Sequence, residues 1–548
     1  VTRSIKEWTA CDGQTDDAVG AAAAFDAARH AAFTLIVDCP VRLHIASDIA
    51  RPIFIDDDTA AQFTGAGTFI VDNVLQPAFV IAGSQNVTLT DWNVEYVGGL
   101  PVDPDVGGYV QNGRFMKLAG SAQPAMAFNN LRLTPWLAAN RGMTFASGVT
   151  SLWAGPSNTS SVFYVIGDVT NLQVTGMRLY VPAGVGGERF IPMAFSLTRN
   201  FKANQAVTAM TGATAQAMAV PHNLAFSNIE LDGTYMGWQG SAQAATFSNI
   251  QSHRYGDLQD AAGGNVGGIG KWFAPPHLFY LNYASDGDPG LFNRNITIGN
   301  VVDDGPRVGV ARDRGGGDTV SGSALSLKLG CVSCSVDGYA TTRLDGFLDL
   351  LDSSGLAISN ATATYDSSFL NNVYPGWRFP DATGSTNVTV RNTTLTDVAS
   401  ESLQPPIANA SQAGNQNISL QNVVVNVNRW AGAGSIYPGI QGQGNSVKLE
   451  YTFKSTQSRV MYVAQDSARL TLQSQPDALS TAQTAVLTWT SEAASGCMAS
   501  GAWAGTLGSK GSRSYKASSG GSVSFSIGCQ AGGKAVTATL PVTVTASP

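Results

Sequence analysis

Lys328 within LSLKLG, Asp349 within FLDLLD and Arg378 within GWRFPD recur at intervals that suit stacking. Each is bracketed by apolar residues: Leu327 and Leu329, Leu348 and Leu350, Trp377 and Phe379. Strand alternation that turns the brackets inward turns the charge outward. With strands about 4.8 Å apart, the three charges form a column spanning about 10 Å. An ammonium, a carboxylate and a guanidinium in a row can hold a sugar acid or exchange protons with a reacting bond. The same residues can also make a plain cross-strand ion ladder on a solvated face.

Asp345 and Asp352 flank the central strand, and YDSSFLNN brings Tyr365 and Asp366 just ahead of Trp377. Upstream, SHRYGD contributes His253, Arg254 and Asp257, and PPHLFYLNY contributes His277 and Tyr280. The Gly-rich run VVDDGPRVGVARDRGGGDTVSGS reads as a long loop over the same face, with Asp303, Asp304, Arg307 and Arg312 as subsite candidates. Glycoside hydrolysis needs two carboxyl groups, and here Asp349 is the expected centre with Asp345, Asp352 or Asp366 as partner and Lys328 beside them. Trp377, Arg378, Tyr365, His277, Tyr280, His253, Arg254 and Arg307 are the expected substrate contacts. Uronate β-elimination would instead draw a base and a cation from Lys328, Arg378, Tyr365 and His277. A protein that only binds glycan needs neither set. Carboxylates outnumber bases around the column, which favours hydrolysis.

Such a column requires strands that repeat. Asn-Φ-x-Φ-x-Asn, with Φ apolar, occurs as NLAFSN (223–228), NITIGN (295–300), NVTVRN (387–392) and NISLQN (417–422), with NVTLTD (86–91) and GLAISN (355–360) as relatives. Its period is that of a strand with one buried face. Copies starting at 355, 387 and 417 lie about 30 residues apart, one coil of a solenoid in which Φ fills the interior and Asn stacks at the turns. Asn-Gly hairpin turns do not recur at regular spacing, which argues against a propeller. The reading is an all-β, right-handed parallel β-helix.

An open solenoid end exposes core and unpaired edges, so a cap is required. CDGQTDDAVGAAAAFDAARHAAF supplies it: an Ala-rich helix over 18–33 with Asp16 and Asp17 at its N-terminus, followed by the first strand, TLIVDC. This motif, residues 1–40 in all, resembles the N-terminal signature of the pectate-lyase-like superfamily, which holds polygalacturonase-related hydrolases, polysaccharide lyases and phage tailspikes. The resemblance implies that Asp12, Asp16 and Asp17 are structural. The chain lacks the Asn-Thr-Asp, Gly-His-Gly and Arg-Ile-Lys motifs of polygalacturonases, so no catalytic residue of that family transfers.

The β-helix is expected over 1–455. Short alternating strands over 456–548 read as a β-sandwich similar to the immunoglobulin-like modules of exported bacterial enzymes, with Trp489 in its core. Cys11 with Cys39 and Cys497 with Cys529 read as disulfides, which places the protein outside the bacterial cytoplasm, secreted or periplasmic. Cys331 and Cys334 fit buried small side chains as well as a bridge. Net charge is −7 with no basic tract, and no apolar run reaches transmembrane length. Neither nucleic acid nor membrane is an expected partner. The chain reads as a mature, soluble monomer acting on a polysaccharide or oligosaccharide, with no cofactor and no metal.

Overall fold

The computed structural model describes residues 1–44, 53–56, 58–72, 79–96, 131–134, 140–152, 160–166, 169–180, 192–198, 220–232, 236–253, 277–281, 293–304, 323–327, 331–342, 346–350, 353–367, 377–378, 384–407, 415–439 and 442–546. The chain divides into two compact units, Val1–Cys331 and Val332–Pro548.

In the first unit the chain coils as a parallel β-helix. One sheet stacks Thr34–Ile36, Gln62–Thr64, Thr88–Thr90, Thr144–Ala146, Gln173–Thr175, His222–Asp232, Gln243–His253 and Thr297–Asp303, each paired in parallel with the next. A second parallel sheet runs from Ile53–Asp56 through Phe79–Ala82, Leu131–Thr134, Ser160–Ile166, Pro192–Thr198, Met236–Gly240 and His277–Tyr280 to Ser323–Leu327. Equivalent inward residues of successive coils meet face to face. Phe163 stacks on Phe195 (4.9 Å), Phe195 on Trp238 (5.3 Å) and Trp238 on Phe279 (5.0 Å), so the interior carries a column of rings.

Asparagine punctuates the coils as the sequence repeat implies. Asn228, Asn249 and Asn300 all take the left-handed conformation, with φ of 55°, 54° and 52°. Their amides bond in series, Asn249 Nδ2 donating to Asn228 Oδ1 (3.1 Å) and Asn300 Nδ2 to Asn249 Oδ1 (3.3 Å). Asparagine tolerates this backbone better than other L residues, and its short side chain reaches the next coil. The linked residues are 21 and 51 apart, so a coil absorbs a long insertion without losing register.

The first coil is closed by the helix Ala18–Ala27, shorter than the expected 18–33. The His30 amide donates to Asp58, a buried carboxylate, at 2.5 Å, and this bond draws the chain out of helical geometry. Phe25 fills the coil mouth against Phe63 (4.5 Å), Phe79 (5.5 Å) and Phe69 (6.3 Å). Gly20 is required because a Cβ there would lie 2.1 Å from the Trp8 carbonyl oxygen. The acidic cluster is structural. Asp17 accepts from the amides of Ala10 and Cys11, Asp16 from Ala18 and His44, and Asp12 from Gln14 and Thr15.

The second unit contains parallel coils of its own, Ser335–Thr341, Ala357–Ser359, Thr389–Asp397, Ser419–Val427 and Ser446–Phe453, with ladders Asn360–Asn392–Asn422 and Asn387–Asn417. Strand direction then reverses through a turn at Lys454–Gln457, and Ser458–Gln465, Ala468–Gln475, Thr484–Glu492 and Lys510–Lys516 follow antiparallel. A separate sheet of Ala478–Ser480, Lys534–Thr545, Gly521–Ala531, Ser495–Gly501 and Gly505–Thr506 encloses one core with it, built on Trp489, Trp503, Phe525 and Leu540. Cys497 and Cys529 are bonded across adjacent strands of that one sheet, whereas antibody domains pin their two sheets together. Cys11–Cys39 is also formed, and Cys331 and Cys334 are disulfide-bonded, leaving no free cysteine.

Truncating the plug, Phe25→Ala, is expected to lower stability by about 3–5 kcal/mol. Asn392→Ala should remove about 1–3 kcal/mol, because alanine inherits a positive φ and the ladder loses two bonds. Shifts of the denaturant midpoint measure both. The Thr15 amide and hydroxyl, and then the Gln14 amide, hold the Asp12 carboxyl down to about 2 from an ordinary 3.8. A depressed folded value stabilises fully above the ordinary one and is lost as pH falls toward 2, so Asp12→Asn should flatten acid sensitivity in that window. Unfolding curves recorded between pH 5 and pH 2 would show it.

Candidate functional site

The expected column is partly formed and is not where solvent reaches. Asp349 lies on Gly346–Leu350 and pairs in register with Arg378 on Trp377–Arg378, next to the Leu348–Trp377 pair. Every residue of Gly346–Leu350 is buried, and Asp349 is 6% exposed. The open face read from the sequence is therefore corrected to a buried one at Asp349. In the first unit, His277 is 1% exposed and stacks on the half-buried Tyr280 at 4.8 Å.

Tyr365 is fully buried at the end of Thr362–Tyr365, in register with Asp397, and burial raises its phenol well above the ordinary range. It is a core residue, not a sugar contact, which corrects the expectation. Asp397 is itself satisfied by Ser367, through amide (3.0 Å) and hydroxyl (2.5 Å), by the Ala399 amide (3.0 Å) and by the Ser402 hydroxyl (2.5 Å). Asp366 lies half-buried just past the strand. Lys328, Asp345, Asp352, Arg254, Asp257, Arg307 and Arg312 lie outside the described residues.

An open row of ionisable groups exists on the first sheet of the first unit. Tyr180 is in register with Asp232, and Asp232 with His253. His253 Nδ1 lies 2.8 and 2.9 Å from the two carboxylate oxygens of Asp304, the residue following Thr297–Asp303. Burial alternates along these strands: Leu231, Ser252 and Asp303 point inward, while Asp232, His253 and Asp304 face out. Asp303, expected in a loop subsite, is thus fully buried at a strand end. Two residues earlier on the same two strands, Arg178 pairs with Glu230 at 3.1 Å, and its guanidinium lies 4.7 Å from the Tyr180 ring centroid. Upstream, Glu95 and Ser151 occupy the same register line as Tyr180.

Asp232 and Asp304 are two strand steps apart, about 10 Å along the sheet, with His253 between them. In inverting glycosidases an acid and a water-activating base stand roughly 6.5–9.5 Å apart. The His253–Asp304 bond orients the imidazole for proton transfer. Sequence reading found His253 and Asp304 but not Asp232, Glu230, Arg178 or Tyr180. A signal was present: Asp232, His253 and Asp304 each stand four residues after a ladder asparagine, in NIELD, NIQSH and NVVDD. In the second unit the same offset carries Thr364, Thr396 and Asn426. Among the described residues, no three His, Cys, Asp or Glu side chains converge closely enough to hold a metal ion.

No protein-family model and no curated protein matches the sequence. Solved structures with loose likeness include phage tailspikes. A mutant of the tailspike of E. coli bacteriophage HK620 in complex with hexasaccharide is 10% identical, with 98% of this chain and 92% of that one covered and a TM-score of 0.40. The Dettilon tailspike protein (gp208) is 9% identical over 98% and 93%, with a TM-score of 0.33. The receptor-binding domain of the siphovirus 9NA tailspike is 9% identical over 98% of each, with a TM-score of 0.29. At this identity and overlap the likeness assigns neither a substrate nor a residue.

Burial separates the two carboxylate sites by experiment. Asp349→Ala should destabilise the fold by about 1–3 kcal/mol, because it strips a buried polar group from its surroundings. Asp304→Asn, at an exposed position, should stay within about 0.5 kcal/mol of the parent. Denaturant unfolding of the two variants side by side checks the contrast.

Proposed function

We propose that this chain is an exported glycan-cleaving protein of the parallel β-helix class, and that it hydrolyses glycosidic bonds along the Asp232–His253–Asp304 row. The observation that supports this reading is two outward carboxylates on either side of an imidazole, one bonded to it at 2.8 Å, on a half-exposed face. An extended polymer lying along the coil axis meets each member of the row in turn. The His253–Asp304 pair takes the proton from an attacking water, and Asp232 delivers one to the departing glycosidic oxygen. Arg178, Glu230 and Tyr180 offer hydrogen bonds and a ring face to the neighbouring sugar. Oxidation of all the cysteines suits an extracellular or periplasmic setting.

The His253–Asp304 pair also favours a second reading, β-elimination. There His253 removes the proton beside a uronate carboxylate and Arg178 faces the resulting charge. One screen discriminates: a polysaccharide panel followed for reducing ends and for ultraviolet absorbance together. Hydrolysis gives reducing ends alone, elimination adds the absorbance of a conjugated double bond, and retention of a polymer with neither signal leaves a glycan-binding protein. On the polymer that is cleaved, Asp304→Asn and Asp232→Asn should each reduce turnover by about 10²–10⁴-fold. Full activity in both variants would remove the row from the chemistry.

A further inference from the structure

The second unit holds an open groove of about 920 Å³ that shares no residue with the row. Its wall is the segment following Ser419–Val427, and its floor is the outward face of Ala468–Gln475 and Thr484–Glu492. We propose that this groove binds a short stretch of a neutral glycan and acts as an anchoring site separate from the row.

The aromatic groups here are positioned to present faces. Trp430 Nε1 donates to the Gly434 carbonyl at 3.1 Å, and the Tyr462 hydroxyl donates to the Pro438 carbonyl at 2.9 Å. Their polar atoms are therefore engaged within the protein, and the half-exposed Trp430 indole is left to pack against a ligand. Tyr437 is held by a parallel stack on Tyr462 (5.0 Å, 2°) and an edge contact with Tyr451 (5.1 Å), whose hydroxyl donates to Ile436 O. Gly432 fits closely beneath the indole, since a Cβ there would come within 2.4 Å of the ring. A wall fixed this way before binding loses little freedom when a ligand arrives.

Polar partners line the other side. Thr471 and Thr490 hydroxyls bond to each other at 2.6 Å across the strand pair, and each retains hydrogen-bonding capacity. Arg469 and Glu492 face each other at 3.6 Å and are the only formally charged residues among those lining the groove. The lining thus has no formal net charge, which matches an uncharged ligand. Ring faces opposite hydroxyls and a guanidinium–carboxylate pair suit a pyranose, which offers an apolar face and a rim of hydroxyl groups. The volume lies in the range of small-ligand sites, enough for a short oligosaccharide.

Affinity electrophoresis of the full chain through gels containing dextran, xylan, galactomannan or laminarin tests this, with polygalacturonate and alginate as anionic comparators. At least one neutral polymer should retard the protein, and Trp430→Ala should weaken that retention tenfold or more. Thr490→Lys, which obstructs the floor without touching the wall's internal bonds, should do the same and guards against a folding defect in the Trp430 variant. Asp304→Asn should be retarded like the parent, so loss of retention and loss of turnover report on different residues. No retardation by any neutral polymer, equal retardation of parent and both groove variants, or stronger retardation by the anionic polymers would overturn the assignment.

Discussion

The constraint on which the structure depends is that each strand of a coil satisfies its backbone groups with the next coil in parallel register. Every side-chain position is thereby repeated along the coil axis at about 4.8 Å. Like stacks on like: phenylalanine and tryptophan inside the first unit, asparagine at the bends, ionisable groups outside. A stack of rings or amides gains at each added coil, whereas a stack of like charges would repel. The row on the first sheet avoids that repulsion by interposing an imidazole between carboxylates.

A stack must also stop. At the N-terminus a short alanine-rich helix closes the mouth because small side chains let it approach the first coil and one phenylalanine enters the interior. In the second unit the last parallel strand, Ser446–Phe453, is followed by a hairpin, so its edge continues into antiparallel pairing. Both devices cover strand edges that would otherwise template association with other chains. The hairpin also creates a concave surface against the preceding segment, where the aromatic groove forms.

Burial divides the polar residues into two kinds. Asp17, Asp58 and Asp397 accept two or more donors each and hold bends or caps in place. Asp232, His253 and Asp304 lie on an outward face within reach of solvent. The distinction depends on the face on which a side chain emerges, and one residue of register is enough to change it, as adjacent Asp303 and Asp304 show.

The sequence alone determined the repeat and therefore the solenoid, because alternation and recurring asparagine are local signals that survive insertions of any length. It also determined a capping helix and the disulfides of Cys11 with Cys39 and Cys497 with Cys529, while the structural role of Asp12, Asp16 and Asp17 came from the resemblance. Which charged residues meet was decided by tertiary structure, since residues 21 and 51 apart become neighbours only when coil lengths are known. Bracketing by leucine suggested an outward Asp349, but alternation reports direction and not cover, and every residue of Gly346–Leu350 is buried. Tyr365 looked like a ligand contact because it adjoins polar residues in sequence; in the fold it ends a strand facing the core. The groove around Trp430 had no legible signature, because its walls come from a bend and two antiparallel strands that only folding brings together.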